Sequence, residues 1–156
     1  MRKIDYAKIY RYMSLDTVLK IVIVAAASIG CYAAQYIRKH KKSGEKMICP
    51  LDSDCEAVVH SNYSKILGVP LEYLGIIYYC IVIGTYGLSV FFYGNALKTL
   101  TVYILWITVA AFVFSIYLTS LQLFKIKEWC FWCLISALMC LIIFTGAILI
   151  GNNLPV

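Results

Sequence analysis

Residues 129–150 of the chain read WCFWCLISALMCLIIFTGAILI and contain no charged side chain. A helix needs about 20 apolar residues to cross a hydrocarbon core of about 30 Å, so this stretch is long enough to span a membrane. Three further uncharged stretches lie at 21–37, 73–97 and 99–124. In the whole chain 62% of residues are hydrophobic and 14% are charged, whereas soluble domains carry about 45–50% apolar and about 25% charged residues. The sequence predicts an all-α membrane protein.

Four spanning helices are expected, in one membrane domain over 1–156, and their predicted ranges are about 17–37, 72–93, 98–124 and 130–150. The connection at about 38–71 is far longer than the others, and connections beyond about 12–15 residues are usually functional or disordered. We expect residues 39–46 to be mobile and residues 52–54 to cap a short helix at 55–59. The apolar residues that follow are expected to lie over the bundle, which makes the connection a cap.

Four of the seven cysteines are expected on one side of the membrane. With four crossings, the connection between helices one and two lies on the same side as the connection between helices three and four. Cys49 and Cys55 lie in the first of these connections, and Cys130 and Cys133 open the fourth helix. The other three cysteines lie within spanning helices, where a lone thiol usually behaves as a small buried hydrophobe.

The pair Cys130 and Cys133 forms a Cys-x-x-Cys motif at a predicted helix start. The unpaired N–H groups and the dipole of a helix start stabilise a thiolate, so this position favours redox chemistry. The spacing of three residues places both sulfurs on one face, with Cys133 about one turn deeper in the membrane. The outer sulfur can therefore exchange with another thiol, while the inner sulfur can meet a lipid-soluble oxidant.

The pair Cys49 and Cys55 is separated by five residues, which is longer than a redox Cys-x-x-Cys. A mobile pair of this kind can carry electrons between partners by thiol–disulfide exchange. Two alternatives remain open: a plain disulfide that staples the connection, and a zinc site shared with the helix pair. The long gap fits poorly with the short knuckles of closed zinc sites.

The order of these motifs resembles the vitamin K epoxide reductase family, in particular microbial members that oxidise periplasmic thiol proteins. The two cysteine pairs carry the resemblance together with Ser61, six positions after Cys55, and the segment Gly68-Val69-Pro70-Leu71 that leads to Gly75. As a set they span residues 49–133.

The resemblance implies a role for each site residue. Cys133 lies beside a membrane quinone, either ubiquinone or menaquinone, Cys130 takes electrons from Cys55, and Cys49 meets a thioredoxin-like thiol protein. Because the sequence ends at Val156 without such a domain, the partner is expected to be a separate protein. Ser61 is implied near the quinone, although from the residues alone it is better explained as a helix-end hydroxyl.

Aromatic residues and two departures from the family pattern refine this expectation. Phe131 and Trp132 are candidates to pack on the quinone ring, although such aromatics also suit the membrane interface.

The animal members of the family carry a tyrosine where this chain has Ala137 and an asparagine where it has Leu71. These departures favour simple quinone reduction over reduction of an epoxide.

Other function classes fit less well. A thiol-based metal-ion carrier or small transporter would need ligands at membrane depth, yet 73–97, 99–124 and 129–156 contain no acidic residue, and we expect no metal site. A DsbB-like oxidase carries its cysteine pairs in the reverse order. The net charge of +6 needs no nucleic-acid partner, because basic residues beside membrane helices meet lipid phosphates.

The orientation in the membrane is the point on which sequence signals conflict. The cysteine side carries eight basic residues and the other side five, which by the positive-inside rule puts the cysteines in the cytoplasm. The long connection weakens that count, and disulfide chemistry favours an oxidising compartment. We therefore expect the cysteines on the outer face, periplasmic or extracellular, of an inner or cell membrane.

Overall fold

A computed structural model describes residues 6–44, 46–50, 55–66, 68–91 and 95–152. Four of its helices are long and apolar enough to cross a membrane, which confirms the predicted four-helix membrane bundle. A two-stranded antiparallel ladder pairs Lys65 with Pro70 and Ile66 with Val69. In chain order the elements are α1 (Tyr6–Ser43), α2 (Cys55–Val59), a 3₁₀ turn (Asn62–Ser64), β1 (Lys65–Ile66), β2 (Val69–Pro70), α3 (Leu71–Phe91), α4 (Asn95–Leu121), a π-helix (Gln122–Ile126) and α5 (Phe131–Asn152).

The connection between the first two spanning helices contains the predicted short helix, since α2 covers Cys55–Val59. Its expected capping residues, 52–54, lie outside the described residues, as does the predicted end of the second spanning helix at 92–93. The last helix begins at Phe131, one residue after its predicted start. The third begins at Asn95, three residues before its predicted start, and continues as a π-helix to Ile126.

The prediction for the first helix was wrong at both ends. Its expected range was about 17–37, whereas α1 runs from Tyr6 to Ser43. Basic residues at 38–42 do not end the helix, because long cationic side chains at a membrane helix end can reach the interface or a partner. Lys41 does the latter, with its Nζ 2.7 Å from Glu72 Oε1 at the start of α3. Residues 39–43, expected to be mobile, are helical.

Helix α1 lies against both α3 and α5 and forms the centre of the bundle. Its buried face contains several small residues, among them Ala26, Ala27 and Gly30. A Cβ atom on Gly30 would collide with the ring of Tyr79 on α3, so only glycine allows this approach. Small residues at membrane helix contacts bring backbones close together and increase van der Waals contact.

The outward faces of the helices expose large apolar side chains, as on α4, where Trp106 is 70% exposed. Continuous apolar surface of this kind marks contact with another apolar phase. Together with the length and composition of the four helices, it identifies an integral multi-pass membrane protein.

Candidate redox site and cavity

Cys49 and Cys55 form a disulfide, with Cα atoms 6.3 Å apart. Cys55 is the first residue of α2 and is 1% exposed, whereas Cys49 is only half-buried. The two sulfurs therefore differ in access, and a thiol that approaches from water meets Cys49 first.

Cys130 and Cys133 are both free thiols at the start of α5. The backbone N–H of Cys133 donates a hydrogen bond to Cys130 Sγ at 3.4 Å. The side chain of Cys133 and the backbone N–H groups of Cys133 and Trp132 hold the pKa of Cys130 below its usual range, although burial opposes them. Cys130 thus becomes a thiolate more readily than an ordinary cysteine, as the position at a helix start predicts.

One buried cluster brings the two cysteine pairs together, and we call it the cysteine cluster. Cys55 and Cys130 are both buried in it, at 1% and 0% exposure. Cys49 and Cys133 pack against its edge. The cluster consists of Ile37, Cys55, Val58, Val59 and Cys130, with Met47, Cys49, Ile126, Phe131, Trp132 and Cys133 packed against it.

Trp132 ties the Cys49 segment to the helices. Its Nε1–H donates a hydrogen bond to the backbone oxygen of Ile48 at 3.2 Å. Its ring stacks on Tyr36 of α1, with centroids 4.2 Å apart, and Tyr36 in turn lies 4.1 Å from the ring of His40. The hydrogen bond from Trp132 to Ile48 holds the residue just before Cys49 against the start of α5.

A cavity of about 430 Å³ lies beneath the cysteine cluster. All four spanning helices contribute to its wall, α2 contributes from above, and Cys133 is part of the wall. Most of the lining is apolar, and it includes Ala34, Ile37, Val58, Val59, Leu71, Leu74, Ile107, Ala110, Ala111, Phe114, Leu118, Ile126 and Ala137. The inner cysteine of the α5 pair therefore faces a space that suits an apolar ligand.

A few polar side chains also line this cavity. Ser61 Oγ donates a hydrogen bond to the backbone oxygen of Val58 at 2.8 Å. Tyr79 and Ser136 hydrogen-bond each other through their hydroxyls at 2.8 Å. Within the described part of the chain, Glu72 Oε2 and Gln122 Oε1 are buried without a hydrogen-bond partner. The cavity thus combines apolar walls with a small number of polar atoms, as ligand sites commonly do.

The residues expected at the quinone fall into two groups in the structure, those that line the cavity and those that pack against the cysteine cluster. Ser61 and Cys133 line the cavity, and Leu71 and Ala137, the two departures from the family pattern, line it as well. Phe131 and Trp132 instead pack against the cysteine cluster. Their contact with a quinone stays a prediction.

Sequence reasoning missed Glu72 as a lining residue of the cavity. Glu72 is the first residue of the predicted second helix, at about 72–93, and directly precedes the uncharged stretch 73–97, so the apolar pattern did not point to it as a cavity residue. A lone acidic residue at the edge of a membrane helix was the signal that could have found it, because such residues mark functional sites by default.

Comparison with known families decides what kind of protein carries this site. A sequence model described as the vitamin K epoxide reductase family matches residues 19–148. The chain belongs to this family. None of the curated proteins compared with the chain matches it significantly.

Family membership assigns the chain a general activity. Vitamin K epoxide reductase family proteins are membrane thiol–disulfide oxidoreductases linked to a quinone, and they generally work with a thioredoxin-like partner.

The described residues fit a quinone. A cavity of about 430 Å³ lies within the range of about 300–1,000 Å³ that small-molecule sites occupy, and a cysteine of the redox pair forms part of its wall. Among the described residues, no group of three or more His, Cys, Asp or Glu side chains is arranged to hold a metal ion. The metal-carrier alternative therefore gains no support from this part of the chain.

Proposed function

We propose that this family member is a quinone-dependent protein-disulfide oxidase that supports disulfide-bond formation. It oxidises a separate thioredoxin-like protein through Cys49 and Cys55 and passes the electrons through Cys130 and Cys133 to ubiquinone or menaquinone. One observation carries the proposal: Cys133 belongs both to the edge of the cysteine cluster and to the wall of the apolar cavity.

The first step takes place at the half-buried Cys49. A thiolate of the partner attacks Cys49 Sγ, the Cys49–Cys55 bond breaks, and Cys55 leaves as a thiolate. The second thiol of the partner then displaces Cys49, so the partner leaves as a disulfide. The different exposure of the two sulfurs supports this direction of attack, since Cys55 is only 1% exposed.

The second step takes place inside the cysteine cluster. The Cys55 thiolate attacks Cys130 of an oxidised α5 pair, and Cys133 leaves with the electron pair. The Cys49 thiol then attacks Cys55 and gives up its proton to Cys133, which restores the first disulfide and leaves Cys130 as a thiolate and Cys133 as a thiol. The lowered pKa of Cys130 favours this release, because a thiol of low pKa leaves faster.

The product of that exchange has a Cys49–Cys55 disulfide beside a reduced Cys130 and Cys133, and the same sulfurs are bonded and free in the structure. In that product the two electrons rest on the pair beside the cavity. A bound quinone supplies the acceptor for these two electrons. Leu71 and Ala137 line the cavity and offer no polar side chain there, which supports simple quinone reduction over epoxide chemistry.

Two reductants test the division of labour. We expect Cys49→Ala to abolish oxidation of a thioredoxin-like protein, while dithiothreitol, which is small enough to reach the partly buried Cys133, still drives reduction of decylubiquinone. Cys133→Ala should lose quinone reduction with both reductants. Cys80→Ala is the matched control, because Cys80 is exposed on α3 and outside the cysteine cluster. If Cys49→Ala loses activity equally with both reductants, the Cys49–Cys55 disulfide has only a structural role.

The orientation completes the proposal, with the cysteine pairs on the outer, periplasmic or extracellular, face. A membrane-impermeant maleimide applied to intact cells after mild reduction should label Cys49, which is half-buried. Labelling that appears only after the cells are broken would place the cysteine pairs on the cytoplasmic face.

A further inference from the structure

Glu72 lies at the edge of the cavity, where Lys41 connects α1 to α3 and to the 3₁₀ turn. It is the second residue of α3, is 8% exposed and lines the cavity wall. Lys41 of α1 places its Nζ 2.7 Å from Glu72 Oε1 and donates a second hydrogen bond to Ser64 Oγ at 3.2 Å. The carboxylate is thereby fixed at the cavity by one of its two oxygens.

The second oxygen of Glu72 has no such bond. Within the described residues, Oε2 is buried and makes no hydrogen bond. A buried oxygen of this kind costs free energy, because it has lost water and gained no partner in return. A buried ion pair is weak evidence for stability, because apolar residues of similar size often replace such a pair without loss of stability. Holding α1 against α3 therefore does not explain why Oε2 is buried without a partner.

We propose that Glu72 is a catalytic proton carrier, which moves a proton between Cys133 and the oxygen of a quinone in the cavity. This inference rests on the proposed function. The unpartnered Oε2 is the atom that takes up and releases the proton, and Lys41 is a positioning residue that holds Oε1.

The electrons and protons of this step balance. A Cys130 thiolate and a Cys133 thiol together hold two electrons to give and one proton. As the Cys130–Cys133 bond forms, the S–H bond of Cys133 breaks, Glu72 Oε2 accepts that proton, and the proton then passes to one quinone oxygen. The other quinone oxygen takes its proton from water. The products are a disulfide and a quinol, and Glu72 returns to its starting state.

Stopped-flow reduction of decylubiquinone by the pre-reduced protein tests the role of Glu72. General acid–base groups contribute about 10²- to 10⁴-fold to a rate, so Glu72→Gln should slow quinone reduction by about 100-fold or more. Exchange between Cys55 and Cys130, followed by thiol trapping, should stay within about twofold of the unmodified protein. Glu128→Gln is the matched control, because Glu128 is exposed and outside the cavity wall.

A double variant separates proton transfer from structural support. Glu72→Gln combined with Lys41→Met removes both charges, and so leaves no unpaired buried ion even if the single variant folds poorly. If Glu72 carries a proton, the double variant stays as slow as Glu72→Gln, and Lys41→Met alone retains part of the activity. Quinone reduction at the normal rate in the double variant would overturn the proposal, because it would leave the carboxylate a structural role only.

Infrared difference spectroscopy gives a readout that does not depend on turnover. Glu72 has the same protonation state before and after the step, but a quinol can donate a hydrogen bond to its Oε2 and a quinone cannot. The difference spectrum between quinone-bound and quinol-bound protein should therefore contain a shifted carboxylate band that disappears in Glu72→Gln and persists in Glu128→Gln. A band that persists in Glu72→Gln would contradict the proposal. Absence of quinone reduction in the unmodified protein would instead count against the proposed function, so the two failures can be told apart.

Discussion

Replacement of Ser61 by alanine tests whether the cavity binds the quinone where the family resemblance implies. A hydrogen bond to a charged acceptor contributes about 1.5–3 kcal/mol, and a neutral one about 0.5–1.5 kcal/mol. Ser61 Oγ already donates to the Val58 backbone oxygen at 2.8 Å, so the hydroxyl must give up this bond before it can donate to a quinone that gains negative charge. The net contribution is therefore about 1–1.5 kcal/mol.

This free energy sets the expected size of the effect. At about 1.4 kcal/mol per tenfold, Ser61→Ala should slow quinone reduction about 5- to 12-fold and leave the exchange between Cys55 and Cys130 unchanged. The assay is stopped-flow quinone absorbance with pre-reduced protein, beside thiol trapping of the exchange. Ser28→Ala is the matched control, since Ser28 Oγ donates to a backbone oxygen at the same 2.8 Å but lies outside the cavity wall. A normal quinone rate in Ser61→Ala would refute the reasoning and leave Ser61 a helix-end hydroxyl.

Two further predictions concern the cysteine cluster. Trp132→Phe keeps an aromatic ring but removes the hydrogen bond to the backbone oxygen of the exposed Ile48. Exchange between the cysteine pairs should therefore slow by about 2- to 10-fold, for a loss of about 0.5–1.4 kcal/mol. Quench-flow thiol trapping measures this rate, and an unchanged rate would show that Trp132 does not position Cys49. The pKa of Cys130 can be measured from its thiolate absorbance, taken as the difference from a Cys130→Ser variant, and should lie below the usual cysteine range. In Cys133→Ala this pKa should rise, because the hydrogen bond from the Cys133 side chain is the largest cause of the lowered pKa. A fall in the pKa would contradict that cause.

The spanning helices could be predicted because length and the absence of charge decide them. The end of α1 could not, because its basic residues at 38–42 looked like the end of a membrane segment. Whether a turn with several cations stays helical depends on partners that are distant in sequence, and Lys41 finds Glu72 on α3. Local sequence does not contain that information.

The candidate site was predictable in its cysteines and less so in its cavity. The Cys-x-x-Cys motif and the shared side of the two connections followed from spacing and from the number of crossings. The residues that line a cavity between four helices depend on how each helix is rotated, and the nearly uniform apolar helices carry little periodicity to show it. Trp132 illustrates the difficulty, since the sequence did not indicate its packing against the cysteine cluster or its hydrogen bond to the Ile48 backbone.

The electron path from Cys55 to Cys130 is the central claim, and a variant that keeps only these two of the four cysteines tests it most directly. In Cys49→Ala combined with Cys133→Ala, mild oxidation followed by peptide mapping without reduction should find a Cys55–Cys130 disulfide in most of the protein, because both sulfurs lie in one buried cluster. The reverse combination, Cys55→Ala with Cys130→Ala, should give no such internal bond. If Cys55 and Cys130 remain unpaired in the first variant, the electrons do not pass between them and the proposed path is wrong.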